Sequence, residues 1–131
     1  MKYYIFQGTI SSDINEIGPF INSALLNIKE IIFDEEIIFD IKLILDELIV
    51  NGVLHGNKRN SCKYVSLNIS LIDDSIVIQV IDEGDGIDFN FDDYDYSSLK
   101  TSGRGLILVR ALSDRLILNN NEIIAIKNVS V

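Results

Sequence analysis

Residues 45–57 read LDELIVNGVLHGN. Two structures compete for this stretch. Asn51-Gly52 lies between the apolar runs Leu48-Ile49-Val50 and Val53-Leu54, the strongest short-range signature of a tight β-hairpin. On a helix, however, Glu47 and Asn51 stand four apart and aim their side chains at one place. The wider frame decides between the two. DEEIIFDIKLILDELIVNGVLHG, residues 34–56, is too long for an ordinary strand and does not alternate at period two. Glu36, Asp40, Glu47 and Asn51 follow roughly helical spacing, while Ile37, Ile38, Ile41, Ile44, Leu45, Leu48 and Ile49 fill the opposite side. Asp34 is a natural N-cap, with Glu35 and Glu36 acidic in the first turn. The stretch is therefore predicted as a helix with Gly52 inside it. A glycine there costs about 1 kcal/mol relative to alanine, which implies that something packs close to the backbone.

Around this helix the chain divides into short elements. KYYIFQGTI (2–10), rich in aromatic and β-branched residues, predicts a first strand. SSDINEIGPFINSALLNIKEII (11–32) predicts a helix capped by Ser11, Ser12 or Asp13. Pro19 either occupies the first turn of a helix starting near Gly18 or kinks one that starts earlier. KYVSLNISLIDDSIVIQVIDEG (63–84) gives two strands around a turn at Asp73-Asp74-Ser75. The first alternates, and the second is more uniformly apolar and so expected at the centre of a sheet. Cys62 reads as an ordinary strand residue. GDGIDFNFDDYDYSSLKTSGRG (84–105) has no period and reads as a long loop. GRGLILVRALSDRL (103–116) predicts a helix with a glycine-rich start, and RLILNNNEIIAIKNVSV (115–131) a closing hairpin around Asn119, Asn120 and Asn121.

Composition narrows the function classes. The chain has 131 residues, is 47% hydrophobic and carries a net charge of −9, so one domain over residues 1–131 with a real core is expected. Such an acidic chain repels phosphate backbones, which argues against a nucleic-acid partner. A small anion can still be held by backbone N–H groups. One cysteine, Cys62, and one histidine, His55, build neither a disulfide framework nor a Cys/His zinc site. No apolar run nears eighteen residues and MKYYIFQGTISSD lacks a signal-peptide pattern, so a soluble, cytoplasmic protein without membrane contact is expected.

Three motifs carry chemistry. In the first, Glu47, Asn51 and His55 form one polar line ending at Gly56. It is either a solvated helix edge or a site for magnesium and phosphate, since asparagine offers a hard cation a neutral oxygen and a nearby glutamate can act as a general base. The second is Asp82-x-Gly84-x-Gly86, where a buried strand runs out. It is either an acidic turn or a carboxylate placed to accept a hydrogen bond from an amino group such as that of adenine. The third is Ser102-Gly103-Arg104-Gly105-Leu106 at a helix start, either a plain loop or a place where N-terminal N–H groups receive phosphates. It has neither the Rossmann nor the P-loop spacing.

In this order and on these elements, the three motifs resemble the N, G1 and G2 boxes of the GHKL ATP-binding superfamily. DELIVNGVLHGN and SGRGLILVRALSDRL make the chain similar to the anti-sigma-factor serine/threonine kinases over nearly its whole length. The resemblance implies a histidine-kinase-like ATPase (Bergerat) fold: an α/β, or α+β, two-layer sandwich whose mixed, mostly antiparallel sheet carries helices on one face. It implies ATP and Mg²⁺ as cofactors, with Asn51 holding the metal and Glu47 activating a substrate hydroxyl. Asp82 would read the adenine amino group, Gly84 and Gly86 would shape the adenine pocket, and Gly52 would leave room beside the nucleotide. The G2 segment, Gly103, Arg104, Gly105 and Leu106, would bind the phosphates at the helix start, under a lid formed by residues 88–102. The implied partners are a small STAS-type anti-anti-sigma protein and a sigma factor, and a homodimer is compatible with this family. A nucleotide-gated binding module without kinase activity is the competing expectation. With His55 as the one histidine, no second histidine is present as a phosphoacceptor, which argues against a sensor histidine kinase.

Overall fold

The computed structural model describes residues 2–86 and 104–129. Strand β1 (Lys2–Ser11) leads into helix α1 (Ile14–Lys29) and helix α2 (Glu35–Asn51). A π-helical turn (Gly52–Gly56) comes next, then strands β2 (Tyr64–Ile72) and β3 (Ser75–Ile81), helix α3 (Arg104–Leu112), and strands β4 (Arg115–Asn119) and β5 (Glu122–Asn128). The five strands form one sheet in the order β1-β2-β3-β5-β4. All four pairings are antiparallel. The expected two-layer α+β sandwich is thus the observed one, with β3 at its centre.

Local chemistry explains the element ends. Asp13 caps α1 by accepting from the Asn15 N–H. Asp34 caps α2 by accepting from the N–H groups of Glu36 and Ile37 at 2.9 and 3.3 Å, as a short acidic side chain should at that position. Of the two alternatives for Pro19, the structure has the earlier start: α1 begins at Ile14 and contains the proline. The preceding residue is Gly18, whose missing Cβ removes part of the clash that keeps pre-proline residues out of the helical region. The turn between β2 and β3 is Asp73-Asp74, with Ile72 paired to Ser75. Asp73 takes the left-handed φ of 53° and Asn120 one of 55°, both residue types that tolerate it.

The core lies between the helices and one face of the sheet. Ile41, Ile44, Leu45, Leu48 and Ile49 of α2 are fully buried, as are Ile76 and Ile78 of β3 and Val65, Leu67 and Ile69 of β2. On the other face Asn68 donates to Gln79, which donates to Glu122, a polar ladder across three strands. Lys127 ties the helical layer to the sheet. Its ammonium donates to the Leu112 carbonyl at the end of α3 and lies 3.3 Å from the Asp40 carboxylate of α2.

Two expectations are corrected. Cys62 is exposed in the turn before β2, not in a strand. There its N–H donates to the Asn60 side chain, an Asx turn that an asparagine followed by a serine favours. The helix expected over 103–116 ends at Leu112, because Ser113 and Asp114 bond back to Val109 and across to Ile126. Arg115 and Leu116 then belong to β4.

Candidate functional site

The opening stretch is helical, so Glu47 and Asn51 do share one face of α2. Both are partly exposed beside the buried Leu48 and Ile49. The polar line does not continue. After Asn51 the backbone bonding widens, with the Asn57 N–H donating to the Gly52 carbonyl at 2.8 Å. An i→i+5 turn advances less per residue than an α-helix and rotates the residues beyond it. His55 falls on the exposed side, while Gly56 and Asn57 turn toward the end of β3. π-helical turns of this kind recur at functional sites.

That turn brings the first two motifs together. A Cβ at Gly52 would stand 3.2 Å from both Val65 methyl groups and 3.8 Å from the Asp82 Cβ. The close approach inferred from the glycine therefore exists, and its neighbours are protein: α2 packs backbone-first onto β2. At Gly56 a Cβ would overlap the Asp82 carboxylate, and at Gly84 it would overlap the Gly56 carbonyl. The two glycines thus let the residues after β3 lie directly on the π turn. Gly86, with φ +103°, needs its glycine for conformation. Its α-carbon faces the Asn120 backbone of the β4–β5 turn, where a Cβ would meet atoms at 3.2 Å.

Asp82 is 6% exposed. Its Oδ1 accepts from the Gly84 N–H at 2.7 Å. Its own N–H donates to the Asn121 carbonyl at 3.0 Å, and the Asn121 side-chain amide donates back to the Asp82 carbonyl. Burial pushes the Asp82 carboxyl above its ordinary value, while the Gly84 hydrogen bond and the charge of Lys63 pull it down. A partly desolvated carboxylate at the end of a central strand is the arrangement that rewards a ligand able to donate to it.

The third motif meets the first. Gly105, in the first turn of α3, lies against the Glu47 carboxylate: a Cβ there would overlap Oε2 and stand 3.2 Å from Cδ. Leu106 is 4% exposed and part of the core, so its side chain serves packing. Arg104 opens the helix. Gly103 and the expected lid at 88–102 lie outside the described residues. Glu47, Asn51, Asp82, Gly84 and Gly105 are therefore gathered along one path, from the start of α3 over the last turn of α2 to the end of β3.

Sequence reasoning passed over Asn57, which is 1% exposed. Its Oδ1 accepts from the Glu83 N–H at 2.7 Å, and its Nδ2 donates to Ser12 Oγ and to the Tyr64 carbonyl, both at 2.9 Å. The available signal was a single polar residue directly after the helix-ending glycine, easily read as a C-terminal cap. A cavity of about 570 Å³ lined by Ile31, Phe33, Asp34, Leu71, Asp74 and Val129 lies at the far end of β3 and α2. It contains none of the residues of the three motifs.

Among the described residues no helix is long and apolar enough to cross a membrane. A comparison with curated proteins finds no match. The family of histidine kinase-like ATPase domains matches residues 10–127. That span takes in all three motifs, the three helices and the sheet apart from most of β1, and so nearly the whole chain. With this match, the α+β sandwich and the described parts of the three motifs meeting at the last turn of α2 and the π turn after it, the chain belongs to the histidine kinase-like ATPase domain family and is an ATP-binding module of the GHKL type.

Proposed function

We propose that the chain is an ATP- and Mg²⁺-dependent protein serine/threonine kinase. It would act in the cytoplasm as an anti-sigma-type regulator that phosphorylates a small STAS-type anti-anti-sigma protein. The observation that carries the enzymatic part is the placement of Glu47. Its carboxylate is held at the start of α3, against Gly105, one turn before Asn51 on the same helix. A base and a cation ligand then face one region next to the N-terminus of a helix, where phosphate charge is favoured. The regulatory part rests on the likeness of residues 46–57 and 102–116 to the anti-sigma-factor kinases.

The donor set fits the cofactors. Among the described residues no group of three or more His, Cys, Asp or Glu side chains is arranged to hold a metal. A magnesium ion suits such a poor site, because it keeps waters and takes phosphate oxygens besides one or two protein ligands. Asn51 would supply the protein oxygen, and the bound ion would neutralise phosphate charge. Asp82 accepts from the 6-amino group of adenine, whereas the 6-oxo group of guanine would face it with a second acceptor. Glu47 takes the proton of the attacking serine hydroxyl. The backbone N–H groups at the start of α3 orient the phosphates for in-line transfer.

The test is phosphate transfer from ATP to a STAS-type partner, measured beside nucleotide titrations. Glu47→Gln keeps shape and should keep nucleotide affinity, while transfer falls by about 10²–10⁴-fold, the usual contribution of a general base. Transfer at the unaltered rate would remove Glu47 from the mechanism and leave a nucleotide-gated binding module.

A further inference from the structure

Asn57 is held in one orientation. Ser12 Oγ donates to the Lys63 carbonyl at 2.9 Å, so toward Asn57 it can only accept. The Tyr64 carbonyl is an acceptor as well. Both therefore require the NH₂ group of Asn57 on their side, and the Glu83 N–H requires its oxygen on the other. A flipped amide would set oxygen against oxygen and N–H against N–H. Three separate parts of the chain converge here: the β1–α1 junction, the start of β2 and the exit of β3.

The exit of β3 is where Asp82 sits. The peptide between Asp82 and Glu83 donates to Asn57, while the backbone of Asp82 itself bonds to Asn121 from the opposite side. The Glu83 carboxylate in turn accepts from the Tyr64 N–H. Asn57 also ends the π turn whose Gly56 lies on the Asp82 carboxylate. One residue thus sets both the peptide that aims Asp82, through its side chain, and the backbone against which the carboxylate rests, through its N–H. Beyond Asn57, Lys58 and Arg59 take left-handed φ values of 52° and 59°. Such conformations are uncommon outside glycine and persist where surrounding bonds over-determine them.

We infer that Asn57 is a positioning residue for base selectivity: it aims the Asp82 carboxylate and thereby sets the preference for adenine over guanine nucleotides. The inference rests on the reading of Asp82 as the adenine acceptor. Buried amides that satisfy all their bonds rigidify a site at the level a ligand senses, and loss of one such bond is worth about tenfold in an equilibrium.

The experiment measures calorimetric Kd values for ATP and for GTP, both with Mg²⁺, well below the melting temperature. The readout is their ratio, which a purely structural role does not move. Asn57→Ala should lower the ATP preference about tenfold. Asn57→Asp retains an oxygen for the Glu83 N–H but sets another against the Tyr64 carbonyl, so it should melt lower and keep most of the preference. Ile21→Val in α1, a core substitution at a residue outside this hydrogen-bond network, should lower the melting temperature and leave the ratio unchanged. Should Asn57→Ala not fold, Asn57→Ser takes its place, being too short to span from Glu83 to Tyr64. If Asp82→Asn shifts the ratio while Asn57→Ala and Asn57→Ser stay within about twofold of the parent, the inference is wrong and the reading of Asp82 stands. If Asp82→Asn also leaves the ratio unchanged, the reading of Asp82 itself fails, and the inference with it.

Discussion

A carboxylate that is 6% exposed has a thermodynamic consequence before any ligand arrives. Burial raises the Asp82 pKa in the folded protein above its unfolded value. Between the two values the folded state holds more protons than the unfolded chain, so stability falls as pH rises through that window. The penalty is fully present above the folded pKa and absent below the unfolded one. Asp82→Asn retains an oxygen for the Gly84 N–H and removes the charge. The nucleotide-free variant should therefore melt above the parent at neutral pH, and the gap should close as pH falls toward about 4, the ordinary range of an aspartate. Equal melting temperatures at pH 7 would show that burial of Asp82 carries no such penalty. The carboxylate was legible in the sequence because Asp-x-Gly-x-Gly after an apolar run fixes residue types by local chemistry. Its supports were not. Asn57 reaches Ser12 across 45 positions and Asn121 reaches Asp82 across 39, contacts that no local pattern encodes.

At the scale of elements, two glycines make opposite predictions. Gly84 faces the Gly56 backbone, and Gly105 faces the tip of the Glu47 side chain. Backbone cannot yield cheaply, so Gly84→Ala should destabilise by about 1–3 kcal/mol, as overpacking does, lowering the melting temperature by several degrees. A partly exposed carboxylate at the tip of a flexible side chain can swing away, and alanine suits a helix better than glycine by up to about 1 kcal/mol. Gly105→Ala should leave stability within about 0.5 kcal/mol of the parent, yet displace Glu47 and slow phosphate transfer at least about tenfold. Thermal melts beside transfer assays check both. Unchanged transfer in Gly105→Ala would detach the Glu47 position from the chemistry. The helix that presents Glu47 could be read from sequence because its length and apolar face outweigh one Asn-Gly pair. The π turn could not. It arises where the helix packs onto Val65 while Gly56 must reach Asp82, a conflict between elements far apart in the chain. The end of α3 is hard to place from sequence because Ser113 and Asp114 are only weak helix breakers, and the Asp114 N–H bond to the Ile126 carbonyl that takes the chain out of the helix is long-range.

For the whole molecule, charge sets the problem. A chain of net charge −9 receives a ligand that is itself strongly anionic. On the proposed reading, helix N–H groups and a magnesium ion offset that repulsion locally. Since a nucleotide site exists in the folded state alone, Mg²⁺ with ATP should raise the melting temperature in a concentration-dependent way, by about 2.7 kcal/mol of added stability at 100 times Kd. Chelating the metal should remove most of that gain, because the phosphates then meet the acidic chain unscreened. Adenosine, which has no phosphates, should give a smaller shift that chelation leaves unchanged. Asn51→Ala should behave with Mg²⁺ as the parent does without it, while its response to adenosine stays intact. The three ligand conditions separate the base recognition proposed for Asp82 from the phosphate recognition proposed beside Asn51. An ATP response equally strong with metal and with chelator would exclude Asn51 as a magnesium ligand. A response to Mg²⁺-ATP absent at millimolar concentration would count against the whole arrangement of the three motifs as a nucleotide site.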